Sequence, residues 1–128
     1  MTLRVISEEF SVCKLKDYSQ IDLKHPFVFT GATDEEKSLV CPTEVVPSNT
    51  TERSDGWRAF RIEGVLNFSL IGILSKISAV LAENRIGIFA ISTFNTDYIL
   101  TKAVDFGKAL ELLSAEGYTI KHQVEDEE

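Results

Sequence analysis

"VLNFSLIGILSKISAVLAENRIGIFAISTFNTDYIL", residues 65–100, carries two periodicities in succession. Ile71, Leu74, Ile77 or Ser78, and Leu81 recur at three- and four-residue steps, the spacing of one helix face. Ser69 is a candidate N-cap, and Asn84-Arg85 followed by Gly87 suits a C-terminal end. The period then shortens. Residues 88–93 and 97–102 are rich in Ile, Phe, Tyr and Thr and read as strands. Between them Ser92, Thr93, Asn95, Thr96 and Asp97 crowd a polar crossing that has no Asn-Gly or Asp-Gly turn. A helix followed by such a pair is the centre of a β-α-β-β-α-β unit.

The flanks supply the remaining elements. WRAFRIEG (57–64) sets Trp57, Ala59/Phe60 and Ile62 against Arg58, Arg61 and Glu63, as in a half-buried strand. A second helix is expected over roughly 105–116, with Phe106, Ala109, Leu110, Leu112 and Leu113 inward and Gly117 at its stop. YTIKHQV (118–124) closes with alternation. The order is that of the ferredoxin-like α+β unit, with two helices on one face of an antiparallel sheet. Upstream, LRVISEEFSVCKL reads as a hairpin around Glu8-Glu9, DYSQIDL as a short helix, and FVFTGATDEEKSLVCP as a hairpin turning at Ala32–Lys37. These suggest a shortened or irregular copy of the same unit. PSNTTERSDG (47–56) has no apolar residue except its proline and reads as a linker. The expected division is an N-terminal unit over 1–54, a C-terminal unit over 55–124 and an acidic tail over 125–128.

At 128 residues the chain holds one domain of usual size or two very small ones, and 44% apolar with 26% charged residues suits a folded, soluble chain. The net charge is −7, of which Glu125-Asp126-Glu127-Glu128 supply four, leaving a body near −3. No basic stripe faces a nucleic acid. Neither a signal-like N-terminus nor an apolar run of membrane length is present, so a cytoplasmic address without membrane insertion is expected. Cys13 and Cys41 read as buried reduced thiols rather than a disulfide. No metal is expected, since His25 precedes Pro26, His122 lies near the far end, and no Cys/His pair has ligand spacing. Neither a phosphate loop nor a nucleophile elbow appears, which argues against a cofactor and against an enzyme.

Two places could recognise a ligand. Asn67-Phe68-Ser69-Leu70-Ile71-Gly72 enters the first helix, where unpaired N–H groups and the positive dipole end favour an anion such as a carboxylate. Gly72 there permits either the close approach of a ligand or helix–sheet packing. In the crossing, Thr93 and Asn95 offer donors and acceptors, Phe94 a wall, and Asp97 a charge for an ammonium or guanidinium.

At these residues the sequence resembles the ACT domain family, the regulatory βαββαβ module that binds amino acids and similar metabolites. "FSLIGILSKISAVLAENRIGIFAIST" with "ISTFNTDYIL" is similar to stand-alone tandem-ACT proteins of bacteria, and to one half of the CASTOR-type cytosolic arginine sensors. The specific match covers about residues 57–124, and a looser one runs through residues 1–47. The resemblance implies two tandem ACT units, the first shortened or irregular, with an amino acid or related metabolite at an ACT–ACT interface in a homodimer. It points to Asn67, Leu70, Ile71, Gly72 and Ile73 at the helix start, to Thr93, Phe94, Thr96 and Asp97 on the crossing, and to Gly87 and Ile88 as backbone from a facing unit. Leu70 stands where the arginine-binding half of the sensors has an acid, and Thr96 where it has an aromatic residue. The ligand class therefore carries over better than arginine itself. The function expected is non-catalytic, amino-acid-binding regulation that can extend to a protein partner; the alternative is an oligomerisation or docking module with a vestigial site.

Overall fold

The structure, a computed structural model, describes residues 1–63 and 71–123, for Ile71 the backbone alone. Its elements run β1 (Thr2–Leu15), β2 (Phe29–Ala32), β3 (Lys37–Pro42), a 3₁₀ turn (Thr43–Val45), β4 (Thr50–Glu63), α1 (Ile71–Glu83), β5 (Phe89–Ser92), β6 (Asp97–Lys102), α2 (Ala103–Ala115) and β7 (Thr119–His122). The fold is α+β. The polypeptide falls into two compact units, Met1–Ser7 with Arg58–Glu128, and Glu8–Trp57. β1 and β4 each supply a segment to both.

In the first of these units the strands run β7-β1-β4-β6-β5. β5 and β6 are antiparallel, from Phe89↔Leu100 to Ser92↔Asp97, as the polar crossing requires. β7 pairs in parallel with the first residues of β1, from Thr2↔Thr119 to Val5↔His122. The sheet is therefore mixed, not purely antiparallel as expected. The reason lies in Leu3 and Val5, which alternate onto the core face and are buried with Phe60, Ile62, Ile77, Leu81, Ile86, Ile99, Phe106, Ala109 and Leu113. Each such side chain contributes about 1.5–3 kcal/mol by burial, enough to draw the N-terminal segment between β7 and β4. Ile77 and Leu81, four residues apart, give α1 its buried edge.

Both helices end in the same way. Ile86 N–H bonds Leu81 O at 2.9 Å and Arg85 N–H bonds Ala82 O at 3.0 Å; Tyr118 bonds Leu113 O at 3.1 Å and Gly117 bonds Ser114 O at 3.0 Å. These are Schellman closures. Gly117 supplies the left-handed residue for α2 at φ 103°, as expected, whereas for α1 it is Arg85 at φ 61° and not Gly87. α2 starts at Ala103, two residues before its expected start. Lys102 is its N-cap and makes no side-chain capping bond, and Asp105 is the acidic residue of its first turn.

In the unit Glu8–Trp57 the strands run β2-β3-β1-β4. β2 and β3 form the expected hairpin, Phe29↔Val40 to Ala32↔Lys37, and β3 pairs antiparallel with β1 from Phe10↔Pro42 to Lys14↔Ser38. No turn interrupts β1 at Glu8-Glu9; it is one fourteen-residue strand. Its buried Phe10 and Ser11 carry it onward, the latter bonding Asp55 Oδ1 at 2.6 Å and meeting Thr43 Oγ1 at 2.9 Å. The expected linker is mostly strand as well, since β4 begins at Thr50. DYSQIDL is not helical. Asp17 accepts from the Ser19 N–H and hydroxyl, and Asp22 from the Lys24 N–H, local bonds that compete with helix formation. Cys13 and Cys41 are free thiols buried with Leu15 and Leu39, and burial pushes the Cys41 thiol up to about 12.

Candidate functional site

The crossing Thr93–Asp97 is a built turn rather than a loose link. Thr93 N–H bonds Thr96 O at 2.8 Å, its hydroxyl bonds the same oxygen at 3.0 Å, and Thr96 N–H returns to Thr93 Oγ1 at 3.4 Å. Thr96 Oγ1 donates to Ile62 O at 2.6 Å, tying the turn to the end of β4. Ser92 Oγ donates to Asp97 Oδ1 at 2.5 Å across the last β5–β6 pair. With its hydroxyls and carboxylate oriented in this way, the turn projects Phe94 wholly into solvent, at 103% exposure.

The other expected residues distribute as follows. Asn67 and Leu70 lie outside the described residues, and Ile71 opens α1. Gly72 is exposed, Ile73 is half-buried against the core, Gly87 is exposed and Ile88 also packs on the core. Among the described residues, a Cβ added at Gly72 or Gly87 would meet no atom within 4 Å. Of the two readings of Gly72, tight helix–sheet packing thus has no neighbour to act on among the described residues. Thr93, Thr96 and Asp97 are brought together on one turn with Ser92. Among the described residues no hydrogen bond or ion pair joins them to the start of α1 or to Gly87-Ile88.

A charged network beside the crossing was not singled out from the sequence. Tyr98, next to Asp97, receives Arg61 Nη1–H at its hydroxyl at 3.2 Å, with the guanidinium 6.0 Å from its ring centre. Arg61 also donates twice to Glu63 Oε2, at 3.3 and 3.2 Å, while Arg4 Nη2 donates to Glu63 Oε1 at 3.0 Å and Arg4 Nη1 to His122 O at 3.2 Å. The Arg4 hydrogen bond, the largest influence, holds the Glu63 carboxyl below the usual range against the opposing effect of burial, and Arg61 adds to the lowering. The alternation of WRAFRIEG places Arg61 and Glu63 on one face, but Arg4 and Tyr98 join them only through strand pairing.

The Glu8–Trp57 unit carries a turn of the same construction. Thr33 N–H bonds Glu36 O at 2.9 Å, its hydroxyl bonds that oxygen at 3.4 Å, and Glu36 N–H returns to Thr33 Oγ1 at 3.1 Å. Phe29, Thr33 and Glu36 correspond to Phe89, Thr93 and Thr96 at a constant offset of sixty residues, and the strand registers coincide. A cleft of about 310 Å³ lies at this turn, lined among others by Lys14, Lys16, Thr33, Glu36, Lys37 and Thr51.

The ACT domain family model matches residues 52–115. A crystal structure of a protein from Agobacterium tumefaciens is similar, with 27% identity, 99% of this chain and 96% of that one covered, and a TM-score of 0.84. A Vibrio cholerae protein of unknown function, described as a possible transport protein, shares 16% identity over 89% and 88% of the two chains, with a TM-score of 0.70. The ligand-free regulatory subunit of aspartate kinase from Thermus thermophilus shares 12% identity over 86% and 93%, with a TM-score of 0.60. These last two likenesses show the fold alone. No curated protein matches the chain. No helix among the described residues is long and apolar enough to cross a membrane.

Proposed function

From the premise that the chain belongs to the ACT domain family, we propose that it is a non-catalytic regulatory protein that binds an amino acid or related small metabolite. The ligand sits at an interface between ACT units, completed in a homodimer, and the protein works in the cytoplasm. Its occupancy biases the dimer or a protein partner by binding one conformation better than another. In this reading the likeness to one half of the CASTOR-type arginine sensors extends to the class of ligand.

The observation that carries the reading is a surface with no internal purpose. Among the described residues Gly72 and Gly87 are exposed and touch nothing a Cβ would disturb, and Phe94 is fully exposed on a turn that carries its own hydrogen bonds. Glycine inside a helix costs about 1 kcal/mol relative to alanine, and an exposed phenylalanine gains nothing from water. Both make sense where a ligand or a facing backbone approaches. The repeated hairpin, with the same register and the same threonine turn, supports two tandem ACT units of which the first is shortened.

Calorimetric titration with the standard amino acids tests the proposal. If the bound one is cationic, Asp97→Ala weakens it at least tenfold, the loss of one charge-assisted bond of about 1.5–3 kcal/mol. Unchanged affinity would remove Asp97 from the site. The second reading is an interaction module with a vestigial site. It is favoured by the internal satisfaction of Asp97 by Ser92 and of the Thr96 hydroxyl by Ile62, which leaves the turn ordered without a ligand. Such a module self-associates or docks with no amino acid bound.

A further inference from the structure

Glu8, His25 and Glu44 are spaced along the chain in no pattern that suggests a metal, yet the Glu8–Trp57 unit brings one donor atom of each within 4.8 Å of the others. Glu8 comes from β1. Glu44 comes from the 3₁₀ turn directly after β3, where the register that sets Pro42 opposite Phe10 continues toward Glu8. His25 descends from the irregular segment between β1 and β2.

The imidazole is already oriented as a ligand would be. Its Nδ1 lies 2.7 Å from Pro26 O, and because a carbonyl only accepts, that nitrogen carries the hydrogen. In the neutral ring Nε2 is then left with its lone pair, 4.0 Å from Glu44 Oε2. A backbone carbonyl fixing the tautomer from the far side of the ring is the usual support of a metal-bound histidine. The segment that holds it is itself fixed. Phe27 sits in the left-handed region at φ 68°, with its ring edge-on to buried Phe10 at 6.3 Å and 72°. A phenylalanine in that conformation is rare and persists only where its surroundings impose it.

We propose that Glu8, His25 Nε2 and Glu44 form a binding site for a divalent transition-metal ion of the zinc class. Bonds of about 2.0–2.2 Å in a tetrahedral shell place ligand atoms roughly 3.4 Å apart, so the cluster must contract by about one ångström. Glu44 has the freedom to close that gap, its side chain being 70% exposed while that of His25 is 22% exposed. The imidazole selects zinc-like ions over calcium or magnesium, which take oxygen ligands. A cleft of about 400 Å³, bordered by Glu8, Glu9, Pro42, Thr43 and Glu44, leaves the remaining coordination positions to water or a small ligand. This site uses none of the residues of the amino-acid site and stands independently of that reading.

The test is calorimetric titration of the chelator-treated full chain with Zn²⁺ alone, paralleled by Co²⁺ absorption spectra. The expected result is one equivalent per chain, with affinity reduced at least tenfold in His25→Ala and Glu44→Gln and unchanged in His122→Ala. Cobalt should give the visible bands of a low-coordinate site in wild type and lose them in His25→Ala. Glu44→Gln, on an exposed side chain, keeps the test open if His25→Ala does not fold. A wild-type protein that binds no Zn²⁺, or Glu44→Gln and His25→Ala proteins that bind it as tightly as wild type, would overturn the assignment and leave a plain imidazole–carboxylate contact.

Discussion

Gly72 is the residue at which a plain helix and a ligand surface make opposite demands. It lies in the first turn of α1, exposed, and among the described residues nothing stands where a Cβ would go. For folding alone, alanine is better there, and Gly72→Ala should raise stability by about 0.5–1 kcal/mol in denaturant titration. Under the proposed function a ligand or facing backbone approaches there, and the added methyl would stand in its way, so on that proposal the same variant should bind amino acid more weakly. A variant that gains stability and keeps full affinity would show that nothing approaches Gly72. Glu63 gives a prediction in pH. Its carboxyl is held below its ordinary 4.5 in the folded state by Arg4 first and Arg61 second, despite an opposing effect of burial. A depressed folded pKa contributes stability that is fully present above the unfolded value and is lost as pH falls through the folded one. Stability of the wild type should therefore fall more steeply below pH 4.5 than that of Glu63→Gln. The difference is modest because the carboxylate is partly exposed and screened. Parallel slopes in the two proteins would mean that the network does not couple to folding.

Among the elements, the helix closures show most directly how local chemistry and tertiary packing divide the work. Ile86 follows Arg85 and is buried on Leu81, so the chain must turn left-handed at Arg85 whatever residue stands there. That conformation costs a non-glycine residue about 1 kcal/mol. Arg85→Gly should recover most of it, and Gly117→Ala, at the equivalent position of α2, should lose a similar amount; thermal midpoints moving in opposite directions would verify both. The same contrast governs what could be read in advance. α1 and the two hairpins were legible because Ile77 and Leu81, Phe29 and Val40, and Phe89 and Leu100 follow periods set by the elements themselves. β1 and the start of β4 were not. Glu8-Glu9 and TTERSD look like a turn and a linker until strand pairing, and bonds such as Ser11 to Asp55, supply a reason for polar residues to lie in a sheet. The segment after β1 misled in the other direction, for DYSQIDL, expected as a short helix, is held by local hydrogen bonds that the Asp17 and Asp22 carboxylates accept.

At the scale of the whole molecule, two units carry hairpins built on one plan, sixty residues apart. The candidate site is partly legible in sequence as a turn. Thr93, Thr96 and Asp97 announce themselves as polar residues between apolar runs, and the structure joins them in one turn. Arg4 meets Glu63 across 59 residues and His122 across 118, and His25 meets Glu44 only through the path of an irregular segment. No local period encodes such encounters. The central claim is that this fold holds an amino acid or a close relative, and thermal unfolding of the full chain against each of the twenty amino acids tests it most directly. A ligand at a hundred times its dissociation constant adds about 2.7 kcal/mol, a shift of several degrees for a chain of this size. One or two amino acids raising the midpoint by that amount is the predicted result. An unchanged midpoint across all twenty at millimolar concentration would contradict it.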